Sequence, residues 1–222
     1  MRALAGLVPV WLLLVGAPSL GEGSEQSSVP GAVSISGFYL PEPLALQTFS
    51  LLDHDGKDFS TKNLRNQWTL LFFGYTHCPD VCPTTLAQIR AVKELLTKQA
   101  PSLKLKAVFV SIDPQRDSSE QLKQYVDRFG NDFIGVCGSP SSVERFAQQF
   151  RVKYAISGGT GTTYLVDHTS SVALITPDAK LRALFSPPLR PESVAQDLQR
   201  IVSDEHTVIA HPTVVASDGG AN

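Results

Sequence analysis

The chain has 222 residues, 42% of them apolar and 18% charged, with 16 glycines and 15 prolines. That balance is globular and excludes a collagen, a coiled coil or a wholly disordered chain. A net charge of −2, from 19 basic and 21 acidic residues, lacks the basic excess of a nucleic-acid binder. Three cysteines are too few for a disulfide scaffold, and the odd number leaves one unpaired within the chain.

Met1-Arg2 is followed by an uncharged stretch to Gly21, centred on Leu7-Val8-Pro9-Val10-Trp11-Leu12-Leu13-Leu14-Val15. A positive start, an apolar centre and small residues beyond it read as an export signal. An uncleaved short anchor and a first helix of the fold are the competing readings. A spanning helix needs about 20 mainly apolar residues, and Pro9 and two glycines weaken this one. Residues 22–37 are rich in Gly, Ser, Glu and Gln and read as a flexible tether. The folded body is expected over 38–202, and 203–222, which loses periodicity, reads as a disordered tail.

Thr69-Leu70-Leu71-Phe72-Phe73-Gly74-Tyr75 is a continuous apolar run, the pattern of a strand buried on both faces. From Pro83 the chain reads as a helix with Leu86, Ile89, Val92, Leu95 and Leu96 on one face. Leu105 to Ile112 is a second buried strand. The helix after it, through Leu122, Tyr125, Val126 and Phe129, is preceded by Asp117-Ser118-Ser119-Glu120, the spacing of a capping box with Asp in the capping place. Phe133 to Cys137 reads as a short strand and Val143 to Phe150 as a short helix. Ser171 to Ile175 and Leu181 to Phe185 form a hairpin across Thr176-Pro177-Asp178-Ala179-Lys180. A last helix covers Pro191 to Val202. Strand and helix in alternation, with a late hairpin, predict an α/β fold: a thioredoxin-like mixed sheet flanked by helices, in a single domain.

Cys78 and Cys82 fall in the loop between the first buried strand and its helix. Ligands gather at such strand ends in open α/β sheets. Pro83 suits the first helical position, which puts Cys82 at or near the N-cap. The unpaired N–H groups and the helix dipole there favour a thiolate. Two such groups four positions apart can bridge or can grip one metal ion. A static disulfide is the plain alternative in an exported protein. A bridge over so short a loop removes little chain entropy, however. The usual redox spacing is C-x-x-C, and the extra residue tilts the reading towards a metal.

A metal needs a third group. His168, in Tyr164-Leu165-Val166-Asp167-His168-Thr169-Ser170, precedes the late hairpin and can lie beside the cysteine loop in a thioredoxin-like sheet. Two thiolates and an imidazole make a three-coordinate set soft enough for Cu(I), whereas zinc would want a fourth ligand. A loop histidine bonded to backbone is the bland alternative. His77 is a competing ligand or a tuner of the thiolates. His54 reads as part of a polar turn, and His206 and His211 are too loosely spaced for a preformed site. Asp113, which opens Asp113-Pro114-Gln115-Arg116-Asp117 at the same sheet edge, and Asp167 are candidates for orienting a ligand. The alternative for the Asp113 block is a turn with a helix cap. Cys137 reads as a small buried residue.

Three blocks carry a resemblance: Gly74-Tyr75-Thr76-His77-Cys78-Pro79-Asp80-Val81-Cys82-Pro83, then Asp113-Pro114-Gln115-Arg116-Asp117, then Val166-Asp167-His168. Together they resemble the signature of the Sco/SenC family, over about Phe49 to Val202. The resemblance implies a thioredoxin-like fold, exported or anchored, with copper bound by Cys78, Cys82 and His168. It implies delivery of copper to the copper-A centre of cytochrome c oxidase, or reduction of that centre's cysteines. The partners implied are the copper-A subunit, a thiol reductant of thioredoxin type and another copper chaperone. Some relatives resemble thiol-disulfide oxidoreductases or copper-responsive redox sensors, which use the same pair as a disulfide. Val136-Cys137-Gly138 departs from the family's common Leu-Thr-Gly and adds a thiol. Without a long Arg/Ser-rich transit peptide the expected place is the bacterial periplasm, soluble or tethered to the inner membrane. A peroxiredoxin-type site is set aside, because Tyr75 and Pro79 stand where its Pro and Thr are needed. A binding module with a structural disulfide leaves His168 without a role.

Overall fold

The structure, a computed structural model, describes residues 35–210 except 160 and 162, with the side chains of 206–210 left out. The expected export segment, most of the expected tether and the chain beyond 210 lie outside the described residues. The first half of the fold runs β1 (Phe38–Ala45), β2 (Ser50–Asp53), β3 (Asp58–Ser60), a 3-10 turn at Thr61–Leu64, β4 (Trp68–Gly74), α1 (Val81–Gln99) and β5 (Leu105–Ser111). Then come α2 (Ser119–Val126), β6 (Phe133–Cys137), α3 (Pro140–Gln148), β7 (Tyr154–Ser157), β8 (Leu165–His168), β9 (Val172–Ile175), β10 (Lys180–Phe185) and α4 (Pro191–Ala210).

Eight strands form one sheet in the order β1-β10-β9-β4-β5-β6-β2-β3. The centre is parallel, β4 to β5 and β5 to β6, with helical crossovers α1 and α2; β9 joins β4 antiparallel. This is the expected α/β, thioredoxin-like mixed sheet flanked by four helices. The apolar run of β4 is buried at all seven positions, as a central strand covered on both faces requires. Alternation along it sends Phe73 towards Phe146 and Phe150, and Phe72 towards Phe109. The C-terminal ends of β4 and β5 therefore come side by side, Gly74 opposite Ser111, on a rigid floor.

Four boundaries differ from the sequence expectation. Helix α1 begins at Val81 with Asp80 as its N-cap, so Cys82 is the second helical residue and Pro83 the third. Proline is tolerated there because the first four helical N–H groups have no intrahelical acceptor. The capping box of α2 is Ser118 with Gln121, not Asp117 with Glu120; the Ser118 hydroxyl accepts from the Gln121 N–H while Gln121 caps the Ser118 N–H. Helix α4 continues past Val202 to Ala210, into the segment read as tail. Charge rather than apolar periodicity holds that extra turn: Tyr39 donates to Asp204 at 3.0 Å, and the Arg182 Nε lies 3.0 Å from Glu205. The end of the expected tether is also ordered, since Ser36 donates through both N–H and hydroxyl to Asp197.

Strands β1, β2, β3, β7 and β8 have no counterpart in the strand-by-strand reading. β1 contains Pro41 and Pro43 and lies at a sheet edge, where a missing donor costs nothing. β7 and β8 pair only with each other, as a separate two-stranded sheet, with His168 opposite Tyr154. Among the described residues no helix is long and apolar enough to cross a membrane.

Candidate metal centre

Cys78 stands in the loop after β4, Cys82 in the first turn of α1, and His168 at the end of β8. One ligand atom from each lies within 4.8 Å of the others, and this is the only such cluster of His, Cys, Asp and Glu in the described residues. The Cys82 Sγ is 3.5 Å from the His168 Nε2. The His168 Nδ1 is 3.1 Å from the Thr169 carbonyl, which can only accept, so the proton sits on Nδ1 and the Nε2 lone pair faces the thiols. Phe72 and Tyr75 flank the imidazole at 6.0 and 6.1 Å between ring centres. The ring therefore turns its donor nitrogen to the cysteines and its sides to aromatic walls.

The two cysteines are not equivalent. Cys82 is fully buried and Cys78 half-buried. The Cys82 N–H donates to the Cys78 sulfur at 3.4 Å. Cys78 is held far below the ordinary thiol range, chiefly by the hydrogen bond from Cys82, with the N–H groups of Asp80 and Cys82 adding to it. The same shared bond, together with burial, pushes the Cys82 thiol up. The pair thus shares one proton, with the exposed sulfur as thiolate and the buried one as thiol, at a helix N-terminus that favours negative charge. Neither is in a disulfide in this structure.

Gly74 explains why the buried sulfur fits. A Cβ at Gly74 would stand 2.7 Å from the Cys82 Sγ and 2.7 Å from the Phe109 ring, so only hydrogen leaves room. Asp117 fixes the loop before Cys78. Its buried carboxylate accepts from the Thr76 N–H at 3.0 Å, the Thr76 hydroxyl at 2.6 Å and the Ser111 hydroxyl at 2.6 Å. The sequence reading spent Asp117 on a helix cap; the cap is Ser118, and Asp117 turns inward to the cysteine loop.

The remaining candidates fall in different places. His77 is 3.5 Å from Asp117 and bonded to the Thr76 hydroxyl, outside the three-group cluster. Asp113 is buried and pairs with Arg116, and it accepts from the Tyr164 hydroxyl. Asp167 is exposed, on the face of β8 opposite Val166 and His168, away from the thiols. Cys137 is half-buried at the end of β6, 3.6 Å from the Ser119 hydroxyl, and apart from the cluster. His54 accepts from the Gly135 N–H at 2.9 Å and so ties its turn to β6. The side chain of His206 and all of His211 lie outside the described residues.

The sequence motifs contain Gly74, Tyr75 and Asp117, but these roles were not read from them, and Tyr164 was given none. A glycine ending a buried apolar strand beside a cysteine is a legible signal for close approach. Nothing local marks Tyr164, whose partners are distant in the chain.

Over most of its length the chain is similar to known proteins. A family model described as SCO1/SenC matches residues 40–203. The mitochondrial SCO1 homolog 1 of Arabidopsis thaliana is 39% identical over 130 residues, which are 59% of this chain and 39% of that protein. The crystal structure of Arabidopsis thaliana ScoI with copper bound superposes with a TM-score of 0.67 and 33% identity, covering 71% of this chain and 98% of that one. The copper-bound ScoI of Bradyrhizobium japonicum gives 0.63 and 36%, over 70% and 98%. With its three sequence blocks, its fold and these matches, the chain belongs to the SCO1/SenC family.

Proposed function

We propose that the protein binds one copper ion through the Cys78 and Cys82 sulfurs and the His168 Nε2, and hands it on as cargo to the copper-A centre of cytochrome c oxidase. The observation that carries the reading is the convergence of these three donors within 4.8 Å. Thiolate and imidazole are soft donors suited to Cu(I), and three of them leave a coordination position open for an incoming ligand. The half-buried Cys78 is the sulfur a partner can reach, and the copper-bound relatives support copper as the metal.

Loading requires the pair to be reduced, which in an oxidising compartment calls for a thiol reductant of thioredoxin type. Oxidation to a Cys78–Cys82 disulfide removes two donors at once, so copper retention follows the redox state of the pair. The N-terminal segment supports export to the periplasm, as does the likeness to a SCO1/SenC family lipoprotein from Bacillus anthracis.

A second reading follows from the inequality of the two sulfurs. In it the Cys78 thiolate attacks one sulfur of a disulfide in the copper-A subunit, forms a mixed disulfide and expels the other sulfur as thiolate. Cys82 then passes its proton to that expelled thiolate and attacks the Cys78 sulfur. The partner's second thiolate leaves, and the pair ends as a disulfide: the partner gains two electrons and the protein loses two.

Anaerobic titration of the reduced full chain with Cu(I) against a competing chelator separates the readings. Copper delivery expects one tight equivalent, weakened in His168→Ala. Equal affinity in both proteins removes His168 from the site. Retention no tighter than the chelator's background leaves the oxidoreductase reading, in which His168→Ala exchanges disulfides normally.

A further inference from the structure

The histidine and the cysteines reach the site on separate pieces of chain. Among the described residues the sheet β7–β8 makes no ladder with the eight-stranded sheet, so backbone pairing reaches His168 only through Val172, four residues on, which pairs with Phe72. A small buried polar cluster also joins the two. The Arg116 side chain is 9% exposed, and its Nε lies 2.5 Å from the Asp113 carboxylate. Its NH1 donates to the Tyr164 carbonyl at 2.8 Å, and its guanidinium lies flat on the Tyr164 ring, 3.6 Å from the ring centre. The Tyr164 hydroxyl closes the ring of contacts by donating to the other Asp113 oxygen at 2.6 Å.

Asp113 and Arg116 lie in the turn that leaves β5, where the Arg116 and Asp117 N–H groups both donate to the Asp113 carbonyl. Asp117 of the same turn holds the cysteine loop through Thr76. Tyr164 immediately precedes β8, and two residues on the Val166 N–H donates to the Tyr75 hydroxyl at 3.3 Å. His168 follows on the same face of the strand as Val166. One turn thus grips both halves of the site. A buried ion pair adds little stability over apolar packing of the same volume; its return is a defined geometry. A planar guanidinium that stacks and bonds at once fixes a strand in one register, which lysine cannot do.

The geometry points to Arg116 as a positioning residue that, locked by Asp113 and stacked on Tyr164, sets the His168 imidazole at bonding distance from the Cys78 and Cys82 sulfurs. This assignment rests on the copper reading of the site. Outer contacts that orient a metal ligand contribute about ten- to a hundred-fold in metal affinity.

The test is a double-mutant cycle in the full chain: wild type, Arg116→Lys, His168→Ala and the double variant, titrated anaerobically with Cu(I) against a chelator. Arg116→Lys keeps the charge beside Asp113 and is expected to weaken copper about ten- to a hundred-fold. It should add nothing in the His168→Ala background. X-ray absorption of the loaded Arg116→Lys protein should keep two sulfur neighbours and lose the imidazole scattering. In the metal-free protein the Val166 amide should exchange its hydrogen faster than in wild type. Tyr164→Phe, which removes only one hydroxyl, should give a smaller loss confined to the same background; it carries the cycle if Arg116→Lys has no cooperative melt. Wild-type affinity in Arg116→Lys beside a weakened His168→Ala overturns the assignment, as does an equal loss in both backgrounds. If His168→Ala binds copper as wild type does, the three-donor reading itself fails, and the Val166 exchange then shows by itself whether the clasp holds the strand.

Discussion

The cysteine half of the site grows out of β4, buried at every position, and is pinned by Gly74 and Asp117; the histidine half stands on a two-stranded sheet whose Ile156 and Leu165 side chains are largely exposed. The first half inherits its rigidity from the hydrophobic core. The second buries only Tyr164 and Val166 in that core and is otherwise held by a few polar contacts at its base. Damage to the cysteine half should therefore cost folding and copper together, and damage to the histidine half should cost copper with little loss of fold.

The largest effect belongs to the proposed ligands themselves. Cys82→Ser replaces a soft, buried sulfur by oxygen and should abolish Cu(I) retention through a desalting column. Gly74→Ala comes next: the added methyl must displace the Cys82 sulfur or the Phe109 ring. About 1–3 kcal/mol of stability should disappear in urea denaturation, with copper affinity falling in step. Asp117→Ala strands the half-buried Thr76 N–H and the buried Ser111 hydroxyl and should cost about 1–3 kcal/mol by the same assay. On the other side, Tyr75→Phe removes the acceptor of the Val166 N–H. It should cost about 0.5–1.5 kcal/mol, with faster exchange of that amide while the core amides stay protected. Equal global losses from Gly74→Ala and Tyr75→Phe would erase the contrast between the two halves.

The smallest perturbation tests the inequality within the cysteine pair. Limited alkylation of the reduced metal-free protein should label Cys78 before Cys82, read by peptide mass. The sign of the pH dependence follows from the lowered pKa of Cys78. A group held below its ordinary value stays ionised as pH falls, so its labelling rate should be nearly flat between about pH 8 and about pH 6. A free thiol's rate falls about tenfold per unit below its pKa of about 8.5. Labelling that starts at Cys82 would reverse the assignment of thiolate and thiol.

Much of this was legible in the residues alone. The run Leu70-Leu71-Phe72-Phe73 announces a central strand because only a strand covered on both faces is uniformly apolar. Cys78 and Cys82 are four positions apart at a helix start, so local chain geometry by itself brings their sulfurs together. The short strands β7 and β8 were not legible, because Tyr154–Ser157 and Leu165–His168 alternate weakly and take their register only from each other. The capping role read into Asp117 failed because Ser118 beside it caps equally well by local rules. The choice between them lay with Thr76 and Ser111, which no local pattern connects to the turn.

The family resemblance named the histidine; by itself the sequence determined the α/β class, the central strand and the cysteine pair at a helix mouth. Each of these follows from period, composition or spacing within a few residues. The tertiary structure decided how close His168 comes to the sulfurs, which cysteine is buried, and that Asp113, Arg116, Asp117 and Tyr164 hold the two halves together. Those contacts join residues 41 to 86 positions apart, such as Cys82 with His168 and Tyr164 with Asp113, and only packing against a common sheet edge brings such pairs into reach.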